Sequence, residues 1–367
     1  MRRPLGGRAE SLKALVVANA AARGAVGELA GEAAALLGAE PALAVETIWP
    51  ESRDETRARV MCAMAGPASR ESPPGVVVAV GGDGTARDVA FGLADGIGRW
   101  DMGIAPASGR EGRLGWCGGG TALLEGAPPV LVVVPAGTGN SLYREVWDDV
   151  SWQEVVGMGA RYVREPLRTG NVSYLDMGRV EGGSLTGTPF LLGASVGFLA
   201  ETVRASLSLD HLTGRQRYAA AAVEALKELR PFSALVSVDG EVLAEGEMAM
   251  IAIGGARRRG GTLAVLPDSV LDDGLLDVCV VGATTAEILA GLLARASSGA
   301  RWGDEHATFG RGRVVAVEAL DGRPITSEVD GDLCEVEETR LAFRVVPHAV
   351  PVLEYRRIEP AVVAARQ

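Results

Sequence analysis

The first 150 positions alternate between short apolar runs and segments with helical spacing. Leu12–Ala18 is an apolar run ending at Asn19, which reads as a strand entering a turn. Val26–Leu37 and Asp54–Ala65 have helical spacing, and Leu43–Ile48 between them alternates as a strand does. Gly75–Val80 is a continuous apolar run rich in valine, the pattern of a strand buried on both faces. It leads directly into Gly81-Gly82-Asp83-Gly84-Thr85, and Ala86–Ala94 is helical in pattern. Pro129–Val134 repeats the plan and enters Pro135-Ala136-Gly137-Thr138-Gly139-Asn140. Strand, glycine-rich turn and helix in succession predict a parallel α/β sheet with ligands at the carboxyl ends of its strands.

The second half has a different rhythm. Val172–Val180, Phe190–Val196, Ala234–Val238, Glu241–Ala244, Met248–Ile253, Leu275–Val281, Val314–Leu320 and Leu341–Val346 read as strands, with turns such as Asp239-Gly240. Helices are expected at Leu199–Leu209, Arg215–Leu229 and Ala286–Ala296. The predicted architecture is an α/β N-terminal domain over residues 10–148 and a β-rich antiparallel sandwich over 165–348. The boundary is placed near Trp147–Arg164. The Gly-rich stretch 96–128 reads as a loop or insertion, and the tail 349–367 as a segment able to return to the first domain.

Composition narrows the function classes. Acidic residues outnumber basic ones by 47 to 36, for a net charge of −11. That is a poor basis for nucleic-acid binding, which runs on clustered positive charge. The chain has only two lysines, Lys13 and Lys227, so neither a Walker A loop nor a protein-kinase lysine is available. Cys62, Cys117, Cys279 and Cys334 are far apart, which fits a reducing compartment and no zinc or redox motif. No apolar run reaches the length of a membrane span and the start leads into no apolar leader segment. The expectation is a cytoplasmic protein, if membrane-associated then peripheral at the inner face.

Asp83 is the sharpest chemical signal. Glycines around it let backbone amides approach a phosphate, the following helix start favours an anion, and its carboxylate suits Mg²⁺ or proton abstraction. The second turn adds Gly137, Thr138 and Asn140 at the same sheet edge, and two such turns can cradle one triphosphate. Arg257-Arg258-Arg259 reads as a solvated loop or an attractor for phosphate or anionic lipid.

Together these segments resemble the diacylglycerol kinase catalytic-domain family, part of a superfamily that includes sphingosine and ceramide kinases. Gly81-Gly82-Asp83-Gly84-Thr85-Ala86-Arg87-Asp88-Val89 is similar to its GGDGT-x-x-E-V element, and Pro135–Asn140 to its P-x-GT-x-N turn. Val270–Val278 resembles the DDG-L-x-D-V element, and Val329-Asp330-Gly331-Asp332 the late V-D-G-E. The resemblance implies ATP and Mg²⁺ as cofactors and a cleft between the two domains. It places Asn19 and Thr47, with Gly81, Gly82, Asp83, Gly84, Thr85, Gly137, Thr138 and Asn140, at the nucleotide. It also implies a structural Mg²⁺ held by the Asp273 carboxylate and the carbonyls of Val270 and Leu275. Asp83 and Asp332 are the catalytic candidates, either one deprotonating the acceptor hydroxyl. The expected partners are a lipid or other alcohol substrate, transiently a membrane surface, and a second copy in a homodimer.

The chain departs from the family pattern at three points. Ser141 replaces an Asp, Asp332 replaces the Glu that is a candidate base, and Ala20 replaces the Pro after Asn19. Three other readings stand beside the lipid kinase. Ser195-Val196-Gly197-Phe198-Leu199 resembles a GFLT element of NAD kinases. A non-catalytic nucleotide-binding homologue accommodates Ser141 and Asp332. A serine hydrolase would use Ser195 in Gly193-Ala194-Ser195-Val196-Gly197, with Asp273 and His306 in triad order.

Overall fold

A computed structural model describes residues 12–20, 24–65, 72–100, 127–148, 150–166, 172–298, 306–335 and 337–353. The valine-rich runs of the first half form its central sheet. β1 (Leu12–Ala18), β2 (Leu43–Ile48), β3 (Val76–Gly81) and β4 (Val130–Pro135) are parallel in the order β2-β1-β3-β4. Every residue of β3 is buried, because helices cover both faces. α1 (Ala25–Gly38) packs with α5 (Trp152–Arg164), and α2 (Arg53–Ala65) packs with α3 (Asp83–Gly96). The register pairs Ala18 with Val80 and Gly81 with Pro135, so the turns after β1, β3 and β4 emerge along one edge. Between β4 and α5 lies the short α4 (Ser141–Val146).

The second half begins with β5 (Val172–Glu181), β6 (Pro189–Phe190) and β7 (Gly193–Gly197). Two helices follow, α6 (Phe198–Leu207) and α7 (Gly214–Lys227), packed on each other. Then come β8 (Phe232–Val238), β9 (Glu241–Gly254), the short pair β10 (Arg258–Arg259) and β11 (Leu263–Ala264), β12 (Leu276–Gly282) and α8 (Ala286–Ser297). The chain closes with β13 (Ala307–Gly312), β14 (Val314–Ala319), β15 (Thr326–Val329), β16 (Asp332–Glu335) and β17 (Arg340–Leu353). These strands pair antiparallel, in the order β16-β15-β7-β9-β8-β14-β17. One core, including Phe190, Ile251 and Phe343, fills the sandwich. A second, including Phe198, Met250 and Leu289, lies where α6, α7 and α8 meet the sheet.

β17 joins the two halves. It runs antiparallel to β5 and β14, shifts register between Val346 and Val350, and then pairs parallel with β4 through Val352 and Leu131. Trp147, 1% exposed, donates its indole N–H to Leu353 O at 2.9 Å. Asp176 on β5 secures the register shift, accepting from the amides of His348 at 2.7 Å and Gly274 at 2.6 Å.

Several elements differ from the sequence expectation. Glu241–Ala244 and Met248–Ile253 are one strand, because Gly246, with φ +124, lets the backbone continue through the polar gap. Phe190–Val196 is two strands, interrupted at Leu191 and Leu192, whose amides bind the Asp330 side chain. The boundary region Trp147–Arg164 contains α5, which packs on the first sheet. β13, β15 and β16 carry too few apolar residues to stand out in the sequence. Within 96–128, residues 101–126 lie outside the described residues, as do Cys117, the first eleven positions and 354–367.

Two measurements test this architecture. Trp147→Phe keeps the ring packing against Tyr143 but leaves Leu353 O buried without its donor. It is expected to cost about 1–3 kcal/mol in denaturant unfolding; an unchanged midpoint would mean that the junction does not depend on this bond. Burial pushes the Asp176 carboxyl from 3.8 up to about 6, against the lowering pull of its two amide donors. The folded state therefore holds this proton more tightly than the unfolded one. The stability it contributes is full below the unfolded value and is lost as pH rises through about 6. The Tm advantage of wild type over Asp176→Asn should shrink between pH 5 and pH 7.5, and a constant difference would refute it.

Candidate active site

The two glycine-rich turns touch each other. A Cβ built on Gly137 would lie 2.4 Å from the Cα of Gly82, so only glycine permits this backbone approach. Ala136 N donates to Gly81 O across the turns at 2.9 Å. Asp83 locks them: its two carboxylate oxygens accept from Ser141 N and Leu142 N, each at 3.0 Å. The carboxylate thus sits at the start of α4, where unpaired amides and the helix dipole favour negative charge. Asn140, in the left-handed conformation at φ 49, closes its own turn with reciprocal 2.9 Å bonds to Gly137 N and O. Its side chain is therefore used internally, whereas Thr138 stays exposed on the turn.

A third glycine turn, Gly260-Gly261, comes from the second half and docks on the first two. Gly261 has φ +84, and a Cβ there would lie 2.6 Å from Gly139 O. Its amide donates to Ser141 Oγ at 3.0 Å, so the residue that replaces the family Asp serves as the connector. Behind it, Glu145, 3% exposed, accepts from Arg257 Nε at 2.9 Å and Arg258 Nη1 at 3.2 Å. Arg259 is half-buried and donates to the carbonyls of Ile253, Ala256 and Arg258. The Arg257–Arg259 run is therefore not a solvated loop: Arg257 and Arg258 are held by Glu145, and Arg259 borders the cavity described next. The run clamps the second half onto α4 and the β9 end.

These turns open onto a cavity of about 640 Å³. Its polar wall includes Asp83, Gly84, Thr138, Gly260, Glu328 and Asp332. Its apolar wall includes Leu192, Phe198, Leu199, Val203, Ala222 and Leu293, from the β6–β7 connection, α6, α7 and α8. Tyr218 of α7 also borders the cavity, and burial raises its phenol above the usual value, with Glu328, Asp332 and Asp83 adding to that effect.

Asp332 is tied into an ionic cluster. Its Oδ2 accepts from Arg53 at 2.6 Å and from Arg87 at 2.7 Å. Arg87 is 1% exposed and also bonds Asp88, which accepts from Arg57 as well. Burial alone would lower the Arg87 pKa, but Asp330, Asp88 and Asp332 together raise it above the ordinary value. The neighbouring Asp330 plays another part. Its carboxylate accepts from Leu191, Leu192 and Gly193 amides at 2.7–2.9 Å, with burial raising its pKa. Glu328 is 4% exposed, accepts from Ser195 Oγ and from Gly331 N at 2.8 Å each, and is likewise shifted upward by burial while Arg259 pulls it down.

Sequence reasoning missed Glu328, Arg87, Glu145 and the Gly260-Gly261 turn. The only signal for Glu328 was its place just ahead of Val329-Asp330-Gly331-Asp332. Asn19 follows β1 and Thr47 lies near the end of β2, on the same sheet edge as Gly81, Gly82 and Thr85 but outside the cavity lining. The Asp273 set lies apart from it. Asp273 Oδ1 accepts from Leu275 N at 3.1 Å, and Oδ2 faces Arg311 Nη1 at 3.5 Å. Arg311 is itself held by Asp277, so a divalent ion on Asp273, Val270 and Leu275 would sit against a fixed guanidinium, and these residues do not fit it. Among the described residues no three His, Cys, Asp or Glu side chains form a metal-binding group. The hydrolase reading fails on geometry: Ser195 is 0% exposed in the middle of β7, paired on both sides, and its hydroxyl donates to a glutamate.

Comparison with known proteins agrees with this geometry. Residues 13–180 match the family model of the diacylglycerol kinase catalytic domain, and residues 193–354 that of the YegS C-terminal NAD kinase beta sandwich-like domain. A "Probable lipid kinase YegS-like" protein of Xanthomonas axonopodis pv. citri is 28% identical over 271 residues, covering 73% of this chain and 74% of its own. One of the same description from Pseudomonas aeruginosa is 28% identical over 318 residues, covering 84% of each. A solved diacylglycerol kinase structure from Bacillus anthracis superposes with a TM-score of 0.59 at 16% identity, covering 96% of this chain and 98% of that one, a likeness of fold. With both halves matched in order, the chain belongs to the diacylglycerol kinase catalytic-domain family of kinases and carries a YegS-type C-terminal sandwich.

Proposed function

We propose that this protein transfers the γ-phosphate of ATP to a hydroxyl of a lipid alcohol of the diacylglycerol or sphingoid type. The observation that carries this is the two-sided cavity. Glycine-turn amides and an α-helix start form one wall, and apolar side chains of α6, α7 and α8 form the other. Such a cavity matches a phosphate donor on one side and an acceptor with a hydrocarbon body on the other, and its volume is in the range of small-molecule sites. The names of the relatives support the same substrate class.

In this reading the triphosphate lies along the sheet edge, over Gly81, Gly82, Gly84, Thr85, Gly137 and Thr138, with Asn19 and Thr47 toward the nucleoside. Asp83 and Asn140 hold the turns in shape. Mg²⁺ brought with the nucleotide would neutralise charge on its phosphates. The protein's share is positioning, because phosphoryl transfer demands little covalent chemistry from it. No helix among the described residues is long and apolar enough to cross a membrane, so the acceptor would be taken up from a membrane surface or a carrier.

Radiolabelled ATP with diacylglycerol or a sphingoid base in mixed micelles should yield a labelled phospholipid, with NAD as the competing acceptor. Labelling of NAD alone would replace this function by that of an NAD kinase, and ATP binding with no transfer would leave a nucleotide-binding homologue. Gly137→Ala, which drives a Cβ into the Gly82 backbone, should weaken ATP binding by tenfold or more, about 1.4 kcal/mol. Titration by calorimetry checks this, and wild-type affinity would remove the two turns from the nucleotide site. Asp83→Asn replaces one acceptor oxygen with a donor that faces an amide. It should lower turnover at least a hundredfold; wild-type turnover would overturn its assigned place.

A further inference from the structure

Both residues expected to take the acceptor's proton are engaged elsewhere: Asp83 caps α4 through both carboxylate oxygens, and Asp332 is bound to arginines. Asp332 is one methylene shorter than the Glu of the family pattern, and the Oδ2 of its carboxylate is shared by the guanidinium groups of Arg53 and Arg87. Those arginines belong to α2 and α3, so the carboxylate is drawn toward the first domain as part of a link between the two halves. Base catalysis is limited by geometry before basicity, and this geometry suits a strut.

Another carboxylate borders the same cavity. Glu328 lies on β15, in a strand paired on both sides by β7 and β16. Its neighbour Val329 points into the sandwich core, so Glu328 faces the opposite side, toward α6 and the cavity. Ser195 Oγ donates to Oε1 and Gly331 N donates to Oε2, which fixes the side chain and leaves one lone pair free on each oxygen. We propose that Glu328, held by Ser195 and Gly331, is the proton acceptor for the hydroxyl that is phosphorylated.

This inference rests on the phosphotransfer reading above and deepens it. The acceptor O–H proton passes to a Glu328 oxygen while the hydroxyl oxygen forms its bond to the γ-phosphorus of ATP. The bond from that phosphorus to the β,γ-bridging oxygen breaks, and its electron pair leaves on ADP. The proton returns to solvent from Glu328 after product departure. Among the described residues, Arg259 of β10 faces Glu328, with Asp330 and Asp332 from its own hairpin, Cys334 from β16 and Tyr218 from α7. Arg204 of α6 bonds Thr326 Oγ1 two residues away. Burial, which outweighs the opposing pull of Arg259, shifts this carboxyl upward from its ordinary value.

The test compares Glu328→Gln, Glu328→Asp and Asp332→Asn with wild type in the labelled-ATP lipid assay across pH 5 to 9, with ATP affinity and Tm measured alongside. Glu328→Gln should lose at least a hundredfold in kcat, keep ATP affinity within threefold, and lose the rising acid limb of the pH profile. Asp332→Asn should keep that limb and lose Tm. Wild-type kcat in Glu328→Gln, or an acid limb that persists there and vanishes in Asp332→Asn, would overturn the proposal while leaving the kinase reading intact. If Glu328→Gln does not fold, Glu328→Asp decides. A fall in kcat of more than tenfold at unchanged ATP affinity supports the assignment, and wild-type kcat refutes it. A wild-type protein that phosphorylates no alcohol would sink the kinase reading and this proposal together.

Discussion

The site depends on one carboxylate bridging two loops. Asp83 caps the start of α4 from the start of α3, and that fixes the second glycine turn against the first. Hydrogen bonds from amides to a charged acceptor are worth about 1.5–3 kcal/mol each, more than a neutral turn contact supplies. The Gly82 to Gly137 approach exists only while this cap holds, and the Gly260-Gly261 turn in turn reaches Gly139 and Ser141. Three backbone loops from distant parts of the chain thus share one seam. The cavity is the space that the seam leaves in front of it.

The two halves are joined by more than contact at the site. β17 is continuous from the sandwich into the parallel sheet, Glu145 holds Arg257 and Arg258, and Arg53 and Arg87 reach Asp332. Removing one partner of a buried ion pair is strongly destabilising because the other charge stays behind without water. The links through buried Arg87 and Glu145 therefore impose registry: apolar burial would tolerate a range of domain orientations, and these charge pairs do not.

The arginine-for-lysine bias takes on meaning in this light. A net charge of −11 sits poorly with an anionic membrane, and the run Arg257–Arg259 would have been the natural compensation. The fold commits those guanidinium groups to Glu145 and to backbone carbonyls instead. Planar multi-donor groups suit such buried forks better than an ammonium does. Arg311 between Asp273 and Asp277 repeats the device where the family resemblance had implied a metal ion.

Much of this was legible in one dimension. The parallel order of strand, turn and helix follows from continuous apolar runs beside helical spacing, and the glycine turns mark themselves because few other residues allow their backbone. Asp83 was visible for the same reason. The blurred parts were those that depend on pairing across the chain. Asp332 read as a free carboxylate because its arginine partners lie some 245 and 279 positions away. Glu328 went unread because its burial and its serine partner, 133 positions away, come from neighbouring strands. By itself the sequence determined the fold class, the sheet edge that carries the glycine turns and the family. Only the tertiary structure decided which cavity carboxylates are tied to arginines from the first half and which are held by their own sheet. The physical reason is that a carboxylate's role is set by its burial and its donors, and both are supplied by segments remote in the chain.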